Sequence, residues 1–254
     1  MRQRYQNYQS YQDGYYQEPK SFWSGGLTLA ILLGFGAIVV IAAMALISGR
    51  RQAPVTIDMS GIGPAINAQI VGATNPSTGV ALTFPAVWQR DKGQYASEAE
   101  WREWSASACS AAALTSVLNG YGKVVKVTDV LGMMREQGSI SSSGGLFRYG
   151  VFGTIATKYG LKAEYSESKD LNSHFDSIMA GLAKGYPVII NVQDNTYFPN
   201  GHFIVAVKAS ADNNTVSVIN PDPTRGKQVL QEWQRDDLKT YFSRSLRSAI
   251  YKSA

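Results

Sequence analysis

The sequence predicts an α+β domain, with N-terminal helices packed on a C-terminal antiparallel sheet, preceded by one transmembrane helix. Three observations carry this. A run without charge, LTLAILLGFGAIVVIAAMALI, stretches from Leu27 to Ile47. Helix start and stop signals follow one another between Ser97 and Gly185. After Tyr186 the pattern changes to short β-branched runs. Helices gathered before strands favour α+β over an alternating β-α-β order.

Residues 1–26 open with MRQRYQNYQSYQDGYYQEPKSFWS, a low-complexity tail of Tyr and Gln with no aliphatic side chain to bury. Residues 27–48 are read as the membrane span. At about 1.5 Å per residue the run crosses a hydrocarbon core of about 30 Å. Trp23 stands at one end and Arg50–Arg51 at the other, as interfacial anchors do. Gly34 and Gly36 weaken a soluble helix but are tolerated in a membrane. A cleaved signal peptide is the alternative, since Ala43–Met44–Ala45 has a small-x-small form. The run exceeds the usual apolar region of about 7–15 residues, which favours an uncleaved anchor. Arg2, Arg4 and Lys20 against Arg50 and Arg51 tilt the topology toward a tail inside and a C-terminal domain outside the cytoplasm.

Residues 49–93 are rich in Gly, Pro, Ala, Thr and Asn and read as a spacer with one short strand at most. Residues 94–254 are long enough for one core. Ser97 with Glu100 forms a capping box for a short helix ending at Trp104. Ser107 is the expected N-cap of a second helix that stops before Gly120. A third starts at Thr128 and closes at Gly138. GLFRYGVFGTIATKYG, ending at Gly160, is a fourth, and DLNSHFDSIMAGLAKG, ending at Gly185, is a fifth. YPVIINV, HFIVAVKA and TVSVIN read as strands, the last two joined through Asp212–Asn213–Asn214.

Composition narrows the chemistry. One cysteine, Cys109, leaves no internal disulfide and no multi-cysteine zinc site. Two histidines, His174 and His202, leave no histidine-rich metal centre; the cysteine–histidine chemistry considered below needs no metal or organic cofactor. The net charge of +5 is not a nucleic-acid signal: from Gln94 onward 17 Lys/Arg stand against 15 Asp/Glu, scattered without a basic stripe.

Cys109 falls in the first turn of the second helix, where unpaired amides and the positive dipole end favour a thiolate. Small neighbours, Ser107, Ala108, Ser110 and Ala111, would let a substrate approach; a buried structural cysteine is the plain alternative. His202 begins a strand, and a hairpin would bring Asn220 near it. An amide oxygen there fixes the imidazole tautomer and turns the other nitrogen toward sulfur. Asp222 could serve instead. His174, on a helix, reads as structural. The loop Ser139 to Gly150 could line a groove or only cap the next helix.

With SACSAAALTSVLNGYG, YPVIINV, GHFIVAV and INPDP in view, residues 94–254 resemble the C39-like branch of the papain-like cysteine peptidases. The resemblance implies Cys109 as nucleophile, His202 as general base, Asn220 as the residue orienting it, and Gln94 as the oxyanion donor in a Gln94, Trp101, Cys109 order. It departs from the family at Cys109–Ser110, where Cys-Gly is frequent. It departs again at Glu103, which falls six residues before the cysteine, where the stricter pattern has glutamine. An ionised carboxylate cannot donate to an oxyanion. The implied function is a membrane-anchored cysteine peptidase acting on a peptide or protein substrate, held in a lipid bilayer through residues 27–48. The alternatives are a catalytically inactive papain-like binding domain and an amidase of cell-wall peptides.

Overall fold

The computed structural model describes residues 69–74, 79, 81–166, 168–223 and 229–254. The tail, the apolar run 27–48 and most of the spacer lie outside the described residues. Among the described residues no helix is long and apolar enough to cross a membrane.

In chain order the elements are β1 (Gln69–Thr74), β2 (Ala81–Pro85), a 3-10 turn (Lys92–Gln94), α1 (Glu98–Trp104), α2 (Cys109–Gly120), α3 (Val127–Glu136), β3 (Ile140–Ser141) and β4 (Gly145–Leu146). There follow α4 (Val151–Lys158), β5 (Leu161–Tyr165), α5 (Leu171–Ala183), β6 (Val188–Val192), β7 (His202–Ala209), β8 (Thr215–Ile219), β9 (Leu230–Gln234), α6 (Arg235–Phe242) and β10 (Ser248–Ser253). The main sheet has six strands in the order β5-β10-β6-β7-β8-β9. Every neighbouring pair in it is antiparallel. The fold is therefore α+β, as the segregated pattern predicts.

The helices, however, cover both faces of the sheet. Strand side chains alternate in direction. Along β7, Phe203, Val205 and Val207 enter a core with α2, α3 and α4, whereas Ile204 and Ala206 enter a second core with Phe175, Ile178, Leu238 and Phe242 of α5 and α6. Two apolar faces explain why β6 is buried at all five positions. They also explain why VIINV shows no polar alternation. The segregation of helices from strands is incomplete as well. Strand β5 falls between α4 and α5, and α6 falls between β9 and β10. Edge strands β5 (LKAEY) and β9 (LQEWQ) are polar on the open side, which hides them from an apolar reading.

Helix punctuation behaves as local chemistry dictates. The Ser97 hydroxyl accepts from the Glu100 amide at 3.1 Å, and the Glu100 carboxylate accepts from the Ala96 N–H at 2.8 Å. Asp170 caps α5 by accepting from Ser173 N–H at 2.8 Å. Only the second half of the expected fourth helix is helical. Gly145 and Leu146 instead pair with Ser141 and Ile140 in a short hairpin, with Gly145 at φ 67°. That left-handed backbone suits glycine and ends any helix there.

The packed unit begins before Gln94. Leu82, Phe84, Ala86 and Val87 are buried in the first core, so this part of the expected spacer is structural. Phe84 lies against α2 so closely that a Cβ on Gly120 would sit 2.0 Å from its ring. Helix α2 itself is buried all round from Ser110 to Leu118, and its small residues let layers approach. Truncating Phe84 to Ala should destabilise the protein by about 3–5 kcal/mol, read from the urea midpoint at constant slope. Gly120→Ala should cost about 1–3 kcal/mol or more through overpacking.

Candidate functional site

Cys109 is the first residue of α2, with Ala108 at the cap position and no side-chain cap. Ser107 does not cap the helix; its hydroxyl donates to the Trp104 carbonyl at 3.2 Å. The first-turn amides are thus left for the sulfur. The N–H groups of Phe203, Ser110 and Cys109 all favour the thiolate, yet burial outweighs them and pushes the thiol up to about 11. The carboxylate of Asp222 adds to the rise. Ser107, Ala108, Ser110 and Ala111 are buried, so their smallness serves packing rather than access. Cys109 keeps partial exposure.

The Phe203 amide that approaches the sulfur belongs to the residue after His202. Helix α2 packs against β7 and so brings the thiol to the end of the strand that starts with this histidine. His202 is buried, and its ring stacks on Phe198 with centroids 5.0 Å apart and planes 6° from parallel. Nε2 lies 2.7 Å from the Asn220 amide oxygen. An oxygen acceptor there assigns the proton to Nε2 and leaves Nδ1 as the nitrogen with a free lone pair. Burial lowers the His202 pKa, against the opposing pull of Asp222 and Asn220. The turn before His202 requires Gly201, at φ 81° and with Asn191 Nδ2 only 3.3 Å from a notional Cβ.

In the β7–β8 register Val205 faces Ile219 and Ala206 faces Val218. The ladder stops at Ile219, and Asn220 and Asp222 follow within three residues of it. The two candidates divide by partner. Asn220 takes the imidazole. Asp222 takes Arg90 in a two-pronged pair, Nε to Oδ1 and Nη2 to Oδ2, both 2.8 Å. The Asp222 amide also donates to Asn220 Oδ1 at 3.2 Å, stiffening the Asn220 side chain.

Gln94 is elsewhere. Its side-chain oxygen accepts from the Val127 N–H at 3.3 Å, at the start of α3. Helix α3 runs back along α2, for Ser110 Oγ reaches Met134 Sδ at 3.9 Å. Val127 is therefore about 10 Å along the axis from the Cys109 end, at about 1.5 Å per residue. The glutamine beside the site is Gln89, 1% exposed. Its Nε2 donates to the Ser105 carbonyl at 2.8 Å and to Asp222 Oδ2 at 3.2 Å. Gln89 closes an apolar run, LTFPAVW, inside the expected spacer, and a lone amide ending such a run is the one sign of it in the sequence. Glu103 is exposed on α1, facing water. His174 is structural, with Nε2 2.8 Å from Ser248 Oγ and Nδ1 3.2 Å from the Ser168 carbonyl.

The thiol of a helix start is thus set against the strand end that carries a bonded histidine–asparagine pair. The chain belongs to the Peptidase_C39 like family, whose model matches residues 81–249. No curated protein matches it. Among solved structures it is similar to a double glycine motif protease from an AMS/PCAT transporter, crystallised in complex with the leader peptide. That likeness has a TM-score of 0.38 and 21% identity, covering 57% of this chain and 84% of the other.

In the ligand-free protein the alkylation rate of Cys109 by iodoacetamide should keep rising past the ordinary thiol value of about 8.5, with half-titration at about 11. Asp222→Asn should move that midpoint down, since removing a nearby negative charge favours the thiolate.

Proposed function

We propose that the chain is a membrane-anchored cysteine peptidase in which Cys109 is the nucleophile, His202 the general base and Asn220 the residue that orients the imidazole. One observation carries the reading: His202 Nε2 is held at 2.7 Å by Asn220 while the Phe203 amide approaches the Cys109 sulfur. The proton on Nε2 leaves Nδ1 free to accept from sulfur. Residues 27–48 serve as the anchor, and the domain stands outside the cytoplasm.

The resting pair is neutral, because burial raises the thiol and lowers the imidazole. Nδ1 takes the Cys109 proton as sulfur attacks the peptide carbonyl. The tetrahedral oxyanion faces the first-turn amides of α2, each such donor being worth about 2.7–4 kcal/mol. Nδ1–H then protonates the leaving amine, and the C–N bond breaks to leave a thioester. Nδ1 next removes a proton from water, whose oxygen attacks the thioester. The acid leaves and the thiol regains its proton.

A binding domain without turnover is the second reading, favoured by the thiol standing at about 11. Glu103 adds nothing to this reading, since its carboxylate is exposed to water on α1.

Hydrolysis of a peptide library by the full chain in detergent tests both. Cys109→Ala should abolish turnover and labelling by a thiol-directed peptidase probe, and His202→Ala should lower kcat/KM by about 10²–10⁴-fold. The acid limb of kcat/KM should fall below the ordinary histidine value of 6.5, since the base must be neutral and burial keeps it so to lower pH. Wild-type protein that the probe leaves unlabelled would favour the binding domain.

A further inference from the structure

A cavity of about 290 Å³ opens between β9, α6 and the loop before β7. Asn220, Phe198, Trp233, Tyr241, Glu232 and Asp237 line it. Its walls are three rings at close quarters. Trp233 and Tyr241 lie 5.5 Å apart at 66°, Phe198 and Tyr241 6.2 Å apart at 89°, and Phe198 and Trp233 6.3 Å apart at 24°. The carboxylates of Asp237 and Asp194 are near enough to raise the Tyr241 phenol, adding to burial. Among the described residues neither Glu232 nor Asp237 pairs with Lys or Arg. Ring faces and unpaired carboxylates together favour a cation. The volume is at the lower edge of ligand pockets, about 300–1,000 Å³, and suits one side chain rather than a whole peptide.

The cavity joins the site directly. Phe198 stacks on His202, and Asn220 both holds His202 and lines the cavity. Asn220 is 2% exposed, and its Nδ2 amide makes no hydrogen bond among the described residues. Nδ2 is therefore a donor left open at the wall of the cavity, and a peptide carbonyl there would accept from it.

We propose that this cavity is a subsite for a basic side chain, Lys or Arg, carried by the peptide on the leaving-amine side of the scissile bond. The side assignment rests on the peptidase reading above: His202 protonates the leaving amine, so the chain beyond that amine runs past His202 toward Phe198 and Asn220. The ammonium or guanidinium enters the cavity beside the rings and meets Asp237 at its rim, with Glu232 adding negative charge nearby, while Asn220 Nδ2 donates to the backbone carbonyl. Neutral side chains of the same length lose the electrostatic part.

The test follows the indole N–H resonance of Trp233 in full chain labelled with ¹⁵N-tryptophan in detergent, assigned with Trp233→Phe. The probes are acetyl-arginine amide and acetyl-lysine amide against acetyl-citrulline amide and acetyl-norleucine amide. The cationic probes should shift the resonance saturably, with affinity about tenfold above their neutral counterparts. The Glu232→Gln/Asp237→Asn double variant should lose that preference, with the Trp88, Trp101 and Trp104 resonances unmoved as a check on folding. Cys109→Ala should bind as the wild type does. Equal or better binding of the neutral probes, a Trp233 resonance that does not saturate, or full preference in the double variant would each overturn the proposal. The two readings fail separately: a chain that hydrolyses peptides while Trp233 ignores cations loses the subsite, and one that binds cations without hydrolysis keeps the cation site and loses the peptidase.

Discussion

The site depends on one strut between the two ends of the fold. Asp222, just beyond β8, grips Arg90 through both oxygens and Gln89 through one. Gln89 in turn donates to the Ser105 carbonyl, a few residues before Cys109, and its own N–H donates to the Pro221 carbonyl at 3.0 Å. Residues 89–90 thus tie the approach to α2 to the exit of β8. Tyr95 donates from its hydroxyl to the Gln89 carbonyl, and Trp101 donates from its indole to the Arg90 carbonyl at 2.8 Å, so α1 and its approach brace the same point. The sheet ladder does not reach this far: β7 and β8 pair only as far as Val205 and Ile219. The strut takes over where the ladder stops, and planar guanidinium–carboxylate geometry makes it directional.

That arrangement sets the electrostatics. A helix start ordinarily lowers a thiol pKa, and three amides near the sulfur act in that direction. Burial acts against them and prevails. The same burial lowers the imidazole, so both groups rest uncharged. Asp222 biases the pair unevenly, because its charge supports a protonated His202 and opposes a thiolate on Cys109. Arg90 offsets part of this and also lowers the His202 pKa. Charge separation between the two groups therefore does not stand ready in the resting protein.

Alternation along β7 then gives the site two unlike flanks. Phe203 turns into the first core, where Tyr149 stacks on it at 6.0 Å and Phe152 meets it edge-on at 5.6 Å. The loop from Ser139 to Gly150 thereby contributes Tyr149 to packing beside the thiol. His202 points the other way, toward Phe198 and the aromatic residues of β9 and α6. One strand end serves a dense side that encloses the sulfur and a more open side lined by rings and carboxylates.

Local chemistry was legible in the amino-acid order. Ser97–Glu100 and Asp170 announced their helices through side chains that satisfy nearby amides. Apolar β-branched runs announced β6 to β8, and the turn at Asn213, with φ 57°, announced their hairpin. Cys109, His202 and Asn220 stood out for the same reason, as chemically distinct residues at element ends. Other features depended on partners remote in the chain. Polar edge strands β5 and β9 are strands only because a neighbour pairs with them. Phe84 is core only because Gly120 makes room for it. That Gln89 rather than Gln94 lies near the start of α2, and that Asn220 rather than Asp222 meets the imidazole, depends on hydrogen bonds spanning from 16 to 133 positions. Such bonds leave no periodicity in the sequence, because the residues they join become neighbours only when the layers close.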